Sequence, residues 1–401
     1  MLTIETFLPL KRLIIKQKML MTKTMILSLL LLLFPAMQAT AANKKALHVK
    51  MQLQGMGDTL VVQNGKQLTA FTGHDGVFDI MVPLTEPVYI TLATPATFRG
   101  EEQQAFVIPA VPGQLVEIKG SWEDGFTFSG SRFYEDYNAL MIEVEMAERP
   151  LSLLFNDLNG QMANGVNQDS LQQVFNERQP SMLQRQNDLL LDMVRRHADS
   201  EAVVVLAREF GDDVRMIQQA IGLMSNKVRN GKTARLAYGP LEDAKLKHDS
   251  EEDSARKQAA GVEAPDFTLN DINGQPLSLS SLRGKYVLLD FWGSWCTWCK
   301  EGFPQMREQY LKYKDLFLIL GIDCRDTQEA WRQTVRDFQL PWLHVYCPND
   351  TDLFEKYGIL GFPTKILVGP DGRIIKSFTG EDPHYYSLID ELFGEVRSLS
   401  K

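Results

Sequence analysis

The chain has 401 residues, enough for two or three domains, with 42 basic against 51 acidic residues and a net charge of −9. That balance lacks the basic footprint of a nucleic-acid-binding protein. Its four cysteines all fall in the last third, which excludes a small disulfide-stapled scaffold and requires the rest to fold without bridges.

The first element is a candidate export signal. Met25 to Met37, with Leu29 to Leu33 at its centre, is the most apolar run; Lys16, Lys18 and Lys23 precede it and Ala39-Thr40-Ala41 follows. A charged start, a short apolar stretch and a small-x-small site make a signal peptide over 1–42, cleaved near Ala41. The run is short for a transmembrane helix, and an uncleaved N-terminal anchor is the alternative. No cysteine beside the cleavage site suggests a lipid anchor, and Met19 and Met21 are alternative starts. The expected location is the periplasm, with the mature chain soluble. There, in an oxidising compartment, thiols are paired or catalytic.

Residues 43–130 read as a β-rich domain. Val49–Leu53, Phe78–Val82, Val88–Leu92 and Leu115–Ile118 alternate or favour strands, and Asn64-Gly65, Asp75-Gly76, Pro112-Gly113 and Asp124-Gly125 are turn signals. An antiparallel sandwich or barrel-like domain is expected. It holds no cysteine and no catalytic constellation, so a docking role and a structural spacer both stay open.

Residues 131–258 read as a helical segment and linker. Tyr134, Tyr137, Leu140, Met141 and Val144 keep helical spacing, as do Leu183, Leu189, Met193 and Val194. Ser200 is a candidate N-cap for a helix Glu201 to Phe210, and Asn230-Gly231 a stop. The run Lys245 to Lys257 is of mixed charge and reads as a solvated helix face.

The stretch 259–401 is organised around Trp295-Cys296-Thr297-Trp298-Cys299. Tyr286–Phe291 before it is a buried strand, and Met306, Tyr310 and Tyr313 after it keep helical spacing. Cys296 therefore opens a helix, where unpaired N–H groups and the helix dipole favour a thiolate. Such a thiolate attacks a disulfide, and Cys299, one turn on, can resolve the mixed disulfide. A zinc site would need two further ligands, and Cys324, Cys347 and the six histidines are scattered; no metal or other cofactor is expected. Asp290 is an acid inside an apolar strand, costly to bury charged.

Around this centre, Asn273-Gly274 and Asp371-Gly372 mark hairpins, and Leu316–Ile322, Leu343–Tyr346, Lys365–Val368 and Ile374–Phe378 read as strands. Asp326 with Glu329 resembles a capping box for a helix through Phe338; Asp352–Tyr357 is a short helix and Asp382-Pro383 opens the last. A strand–helix–strand unit would make the strands preceding Cys324 and Cys347 parallel neighbours. Strand spacing of about 4.8 Å then leaves a Cys324–Cys347 disulfide open; two small buried hydrophobes that never meet is the alternative.

Several ordered motifs resemble the thioredoxin superfamily, and within it the TlpA/ResA-type (AhpC/TSA-related) thiol-disulfide oxidoreductases. They are Ala264-Pro265-Asp266-Phe267, Gly284-Lys285, Asp290-Phe291-Trp292, the WCxxC, Pro304 and Gly361-Phe362-Pro363-Thr364. The resemblance covers about 262–398. It implies that Asp290 moves protons for the second cysteine and that Pro363 is the cis-proline facing the cysteines. Trp295, Thr297, Trp298, Phe362 and Thr364 would then face substrate, with Thr297-Trp298 tuning the potential. ResA-like members carry an acid in the helix three residues past the second cysteine; here that residue is Gly302, with Glu301 one place off. Proton handling should therefore resemble thioredoxin. Residues 43–130, with Gly76-Val77-Phe78, Pro112-Gly113 and Ser129-Gly130-Ser131, resemble the N-terminal domain of unknown function that precedes thioredoxin-like domains in Bacteroidetes proteins.

The reading is a multidomain chain: an N-terminal β-rich domain, a helical middle segment and a C-terminal α/β thioredoxin-like domain. It is expected to exchange disulfides with protein thiol or disulfide substrates, re-reduced by a membrane-bound thiol reductant, and to bind no nucleic acid. A peroxiredoxin-like peroxidase is one alternative, but that family's threonine or serine and proline positions hold Gly293 and Leu289. A non-enzymatic binding protein with a relic thioredoxin domain is the other.

Overall fold

A computed structural model describes residues 46–347 and 351–399; the candidate signal over 1–42 lies outside the described residues. The chain divides into two compact units between Lys245 and Leu246.

In the first unit the strands are β1 (Ala46–Gln54), β2 (Thr59–Asn64), β3 (Gln67–Thr72), β4 (Val77–Pro83), β5 (Val88–Ala93), β6 (Ala105–Ala110), β7 (Leu115–Ser121) and β8 (Gly125–Gly130). They form two four-stranded sheets, β4-β1-β7-β8 and β3-β2-β5-β6. Alternation buries one face: Phe78, Ile80 and Val82 of β4 point in while Val77, Asp79 and Met81 point out. The expected all-antiparallel layout is corrected at one place, because β1 and β7 pair in parallel. Four strands are not marked by the pattern: β3, β6 and β8 lie at sheet edges, and β2 lies inside its sheet between β3 and β5. Pro109 in β6 obscures the signal and is tolerated there because an edge strand need not donate on both sides.

Helix α1 (Pro95–Arg99) links β5 to β6; α2 (Arg132–Ala163) and α3 (Gln168–Arg196) follow the sheets. Leu140 and Val144 of α2, Leu190 and Val194 of α3, and inward residues of both sheets such as Leu47, Val62 and Ile118 share one core. Ser200 caps the next element through Ala202 N, but Glu201–Phe210 is a 3₁₀ helix. Its β-branched run Val203-Val204-Val205 disfavours the α form, and every residue from Ala202 to Ala207 is buried. Helices α4 (Val214–Leu223), α5 (Asn226–Arg229) and α6 (Arg235–Lys257) follow.

In the second unit a hairpin, β9 (Thr268–Asn270) and β10 (Pro276–Ser278), precedes β11 (Tyr286–Trp292), α7 (Thr297–Tyr313), β12 (Phe317–Cys324), α8 (Gln328–Asp337) and β13 (Leu343–Cys347). Then come α9 (Thr351–Tyr357), β14 (Thr364–Val368), β15 (Ile374–Thr379) and α10 (His384–Leu399). The central sheet has the order β13-β12-β11-β14-β15. β11, β12 and β13 are parallel; β14 runs against them, and β15 runs against β14 and so in their direction. With side chains alternating across the sheet, Leu288, Trp292, Ile319 and Leu367 pack on the side of α7 with Phe303, Met306, Cys296 and Cys299. Leu289, Phe291, Ile322 and Ile366 pack on the other side. Asp290 and Lys365, register partners on β11 and β14, share the parity of Leu288 and Leu367 and so belong to the α7 face.

Candidate active site

β11 ends at Trp292, and the chain turns through Gly293-Ser294-Trp295 into α7, whose N-cap is Cys296. Cys296 and Cys299 are joined by a disulfide with Cα atoms 5.3 Å apart. Both cysteines are buried, Cys296 at 5% and Cys299 at 2% exposure. Cys299 N donates to Cys296 Sγ at 3.1 Å. The first helical turn thus aims an N–H at Cys296 Sγ, an arrangement that favours negative charge on a sulfur placed there.

Three ties hold this turn. Ser294 donates its N–H and its hydroxyl to the two oxygens of Asp326, at 2.5 and 2.6 Å. Trp295 Nε1 donates to Cys324 O at 3.0 Å, and its ring meets Phe362 edge-on at 5.2 Å. Gly293 leaves room for that indole: a Cβ there would lie 2.7 Å from Trp295 Cε2 and 2.8 Å from Cys324 O. Gly293→Ala should therefore displace Trp295 at a cost of about 1–3 kcal/mol. The expected readouts are altered tryptophan fluorescence and slower disulfide exchange; an unchanged spectrum and rate would show that the turn does not depend on this glycine.

The expected capping role of Asp326 is corrected. Thr327 is the N-cap of α8 and accepts from Ala330 N at 3.2 Å. Asp326, one residue earlier, is occupied with Ser294. Its neighbour Asp323 is also buried. Burial, and the Asp326 carboxylate beside it, push the Asp323 carboxyl up to about 10, so it stays protonated at neutral pH.

The peptide bond between Phe362 and Pro363 is cis. The Arg325 guanidinium lies 5.5 Å from the centre of the Phe362 ring. With Trp295 38% exposed, Thr297 exposed and Trp298 half-buried, an aromatic surface borders the cysteine pair. Thr364, expected to face substrate, is buried instead, and its hydroxyl donates to Gly361 O at 2.8 Å; its side chain is satisfied within the loop.

Asp290 is 1% exposed, and neither carboxyl oxygen has a hydrogen-bond partner among the described residues. Burial pushes the carboxyl up to about 6; the Lys365 ammonium draws it down and the Glu381 carboxylate pushes it up. Lys365 and Glu381 were not singled out from sequence. Lys365 carried a usable signal, being a charge inside an apolar strand like Asp290. Glu381, in a polar turn, carried none. Cys324 and Cys347 are buried thiols at partner positions of β12 and β13.

The AhpC/TSA family model matches residues 260–377. The thiol-disulfide oxidoreductase ResA of Bacillus thuringiensis is 34% identical over 126 residues, which is 31% of this chain and 72% of that protein. The chain belongs to the ResA-type thiol-disulfide oxidoreductases. The ResA of Bacillus subtilis is 34% identical over 121 residues, 30% of this chain and 67% of its own. Among solved structures, the thioredoxin domain of a thiol-disulfide oxidoreductase from Bacteroides vulgatus is 35% identical, covering 32% of this chain and 95% of its own, with a TM-score of 0.31. As a ResA-type enzyme the protein is a thiol-disulfide oxidoreductase. At the helix position where ResA-like members are expected to carry an acid stands Gly302, and the space a Cβ would take there is filled by the Glu381 carboxyl group.

Proposed function

We propose that the chain is an exported oxidoreductase that exchanges protein disulfides through Cys296 and Cys299. The observation that carries this reading is the bonded cysteine pair at the start of α7, with an N–H on the first sulfur. In the reducing direction the Cys296 thiolate attacks a client disulfide. A Cys296–client bond forms, and the other client sulfur leaves as a thiolate that takes up a proton. Cys299 then gives its proton to the Asp290 carboxylate and attacks Cys296 Sγ. The second client thiolate leaves, and the enzyme, having given two electrons, is left with the Cys296–Cys299 disulfide.

Trp295, Thr297, Trp298, Phe362 and the Pro363 loop border the pair and would receive an extended client segment. Re-reduction falls to an external thiol reductant, membrane-bound if the protein is periplasmic. The export part of the proposal rests on the sequence of 1–42; no helix among the described residues is long and apolar enough to cross a membrane. Reduction of insulin disulfides against consumption of peroxide, by the purified protein, tests the reaction class. Peroxide turnover without insulin reduction would sink it.

Cys324 and Cys347 are not bonded to each other in the structure; their paired register is the ground on which a second, structural bridge is proposed for the oxidised protein. Burial and the nearby Cys347 push the Cys324 thiol up, so a bridge would form during folding and not by exchange at the surface. Thiol counting on the unfolded, air-oxidised protein should find none free. Two thiols mapped to Cys324 and Cys347 would refute the bridge.

A further inference from the structure

Gly302 lies inside α7, one turn past Cys299, where glycine costs about 0.5–1 kcal/mol relative to alanine. Its lack of a Cβ has a partner in space. A Cβ there would fall onto the Glu381 carboxyl group, 2.6 Å from Oε1. The glycine is what lets that group lie against the helix that carries the cysteines.

Glu381 is held from two sides. Lys365 Nζ donates to Oε2 at 2.7 Å, and the Tyr386 hydroxyl donates to Oε1 at 2.5 Å. The lysine side chain is 1% exposed and the glutamate 20%, so the pair is sealed at one end and touches water at the other. Lys365 is also the register partner of Asp290, on the same face of the sheet. One buried ammonium therefore stands between two carboxyl groups. Replacing such a pair by apolar side chains is often neutral or stabilising, so the fold does not demand it.

We propose that Glu381 is a positioning residue for the redox pair: by engaging Lys365 it keeps that ammonium from pairing with Asp290, and so leaves Asp290 able to take and release a proton. This rests on the proposed role of Asp290. If Glu381 were neutral, Lys365 would turn to Asp290 and hold it as a weakly basic carboxylate.

The other groups around Asp290 leave this balance to Lys365 and Glu381. From α10, Tyr385 and Tyr386 are held far above the usual phenol range by burial and stay neutral. From β13, His344, whose ring borders the Gly321 partner of Asp290, is held down at about 4 by burial and is also neutral. On β12, Asp323 is a protonated acid, and Cys324 is uncharged whether it is a thiol or bridged. From α7 come Cys296 and Cys299 themselves.

The test is the pH profile of insulin-disulfide reduction by the full chain between pH 5 and 9. The Glu381→Gln variant should lower the acid-limb midpoint by about 1 pH unit, a tenfold change in the Asp290 carboxyl-to-carboxylate ratio. Lys365→Met/Glu381→Gln removes both charges and remains interpretable should an unpaired buried lysine prevent the single variant from folding. It should raise the midpoint, because Lys365 acts on Asp290 more strongly than Glu381 does. In an Asp290→Asn background neither change should move the profile. Wild-type midpoints in the folded variants, or shifts that persist without Asp290, would overturn the proposal. A Cys296→Ser control separates the two levels: if it reduces insulin at the wild-type rate, the redox-pair reading itself fails, whatever Glu381 does.

Discussion

Replacing Cys296 by serine will bring insulin-disulfide reduction to background, a loss on the order of 10³-fold or more, because the step has no other nucleophile at this site. Replacing Cys299 by serine will stop turnover in a different way. Attack by Cys296 survives and resolution does not, so covalent enzyme–client adducts should accumulate and disappear on adding a reductant. The two variants differ on a non-reducing gel even where their turnover is equally low. Both cysteines are buried, and the N–H of Cys299 points at Cys296 Sγ; the expected order follows from the roles proposed for them. Adducts trapped through Cys299 in the Cys296→Ser protein, and none in its counterpart, would reverse the roles.

Asp290→Asn should make the protein more stable at pH 8 and less active near neutrality. The folded protein holds this carboxyl at about 6 against a usual 3.8. Between those values the folded state keeps a proton that the unfolded chain releases, so stability falls as pH rises through the window. Above pH 6 the full cost is present, at most about 3 kcal/mol for a shift of about two units. Below pH 3.8 both states are protonated and the cost vanishes. Urea unfolding should therefore show a gain of about 1–3 kcal/mol for Asp290→Asn at pH 8, shrinking toward zero at pH 4. Equal gains at both values would mean that its charge is not what the fold resists. A buried acid that destabilises the fold yet serves the cysteine pair is how strain collects at functional sites. The accompanying loss of turnover near pH 7 tests the second half of that statement.

Local chemistry made much of the redox unit legible. The run Val287–Phe291 is apolar because β11 is covered on both faces. Cys296 sits where strand periodicity gives way to helical periodicity, and that switch is a property of neighbouring residues. Hairpin signals at Asn273-Gly274 and Asp371-Gly372 and the proline at 383 likewise act within a few residues. In the first unit the same logic found β1, β4, β5 and β7, and failed at β3 and β8, edge strands without a fully buried residue, at β6, which carries Pro109, and at β2, whose three consecutive buried residues Leu60, Val61 and Val62 break the alternation.

Sequence by itself determined that this chain carries a CxxC pair at a helix start and an acid in the strand before it; the role of the Pro363 loop came only from its resemblance to a family. Only the tertiary structure decided what surrounds them. Ser294 finds Asp326 across 32 residues, Trp295 finds Cys324 O across 29, and Lys365 finds Glu381 beside a glycine 79 residues before it in the chain. Cys324 and Cys347 become partners through the β12–β13 register. Helical and strand periods are short-range and are written into spacing. The energy of a buried charge depends on what lies within a few ångströms of it, and for Asp290 those neighbours come from β14, the turn after β15 and α10, which meet only when the sheet closes.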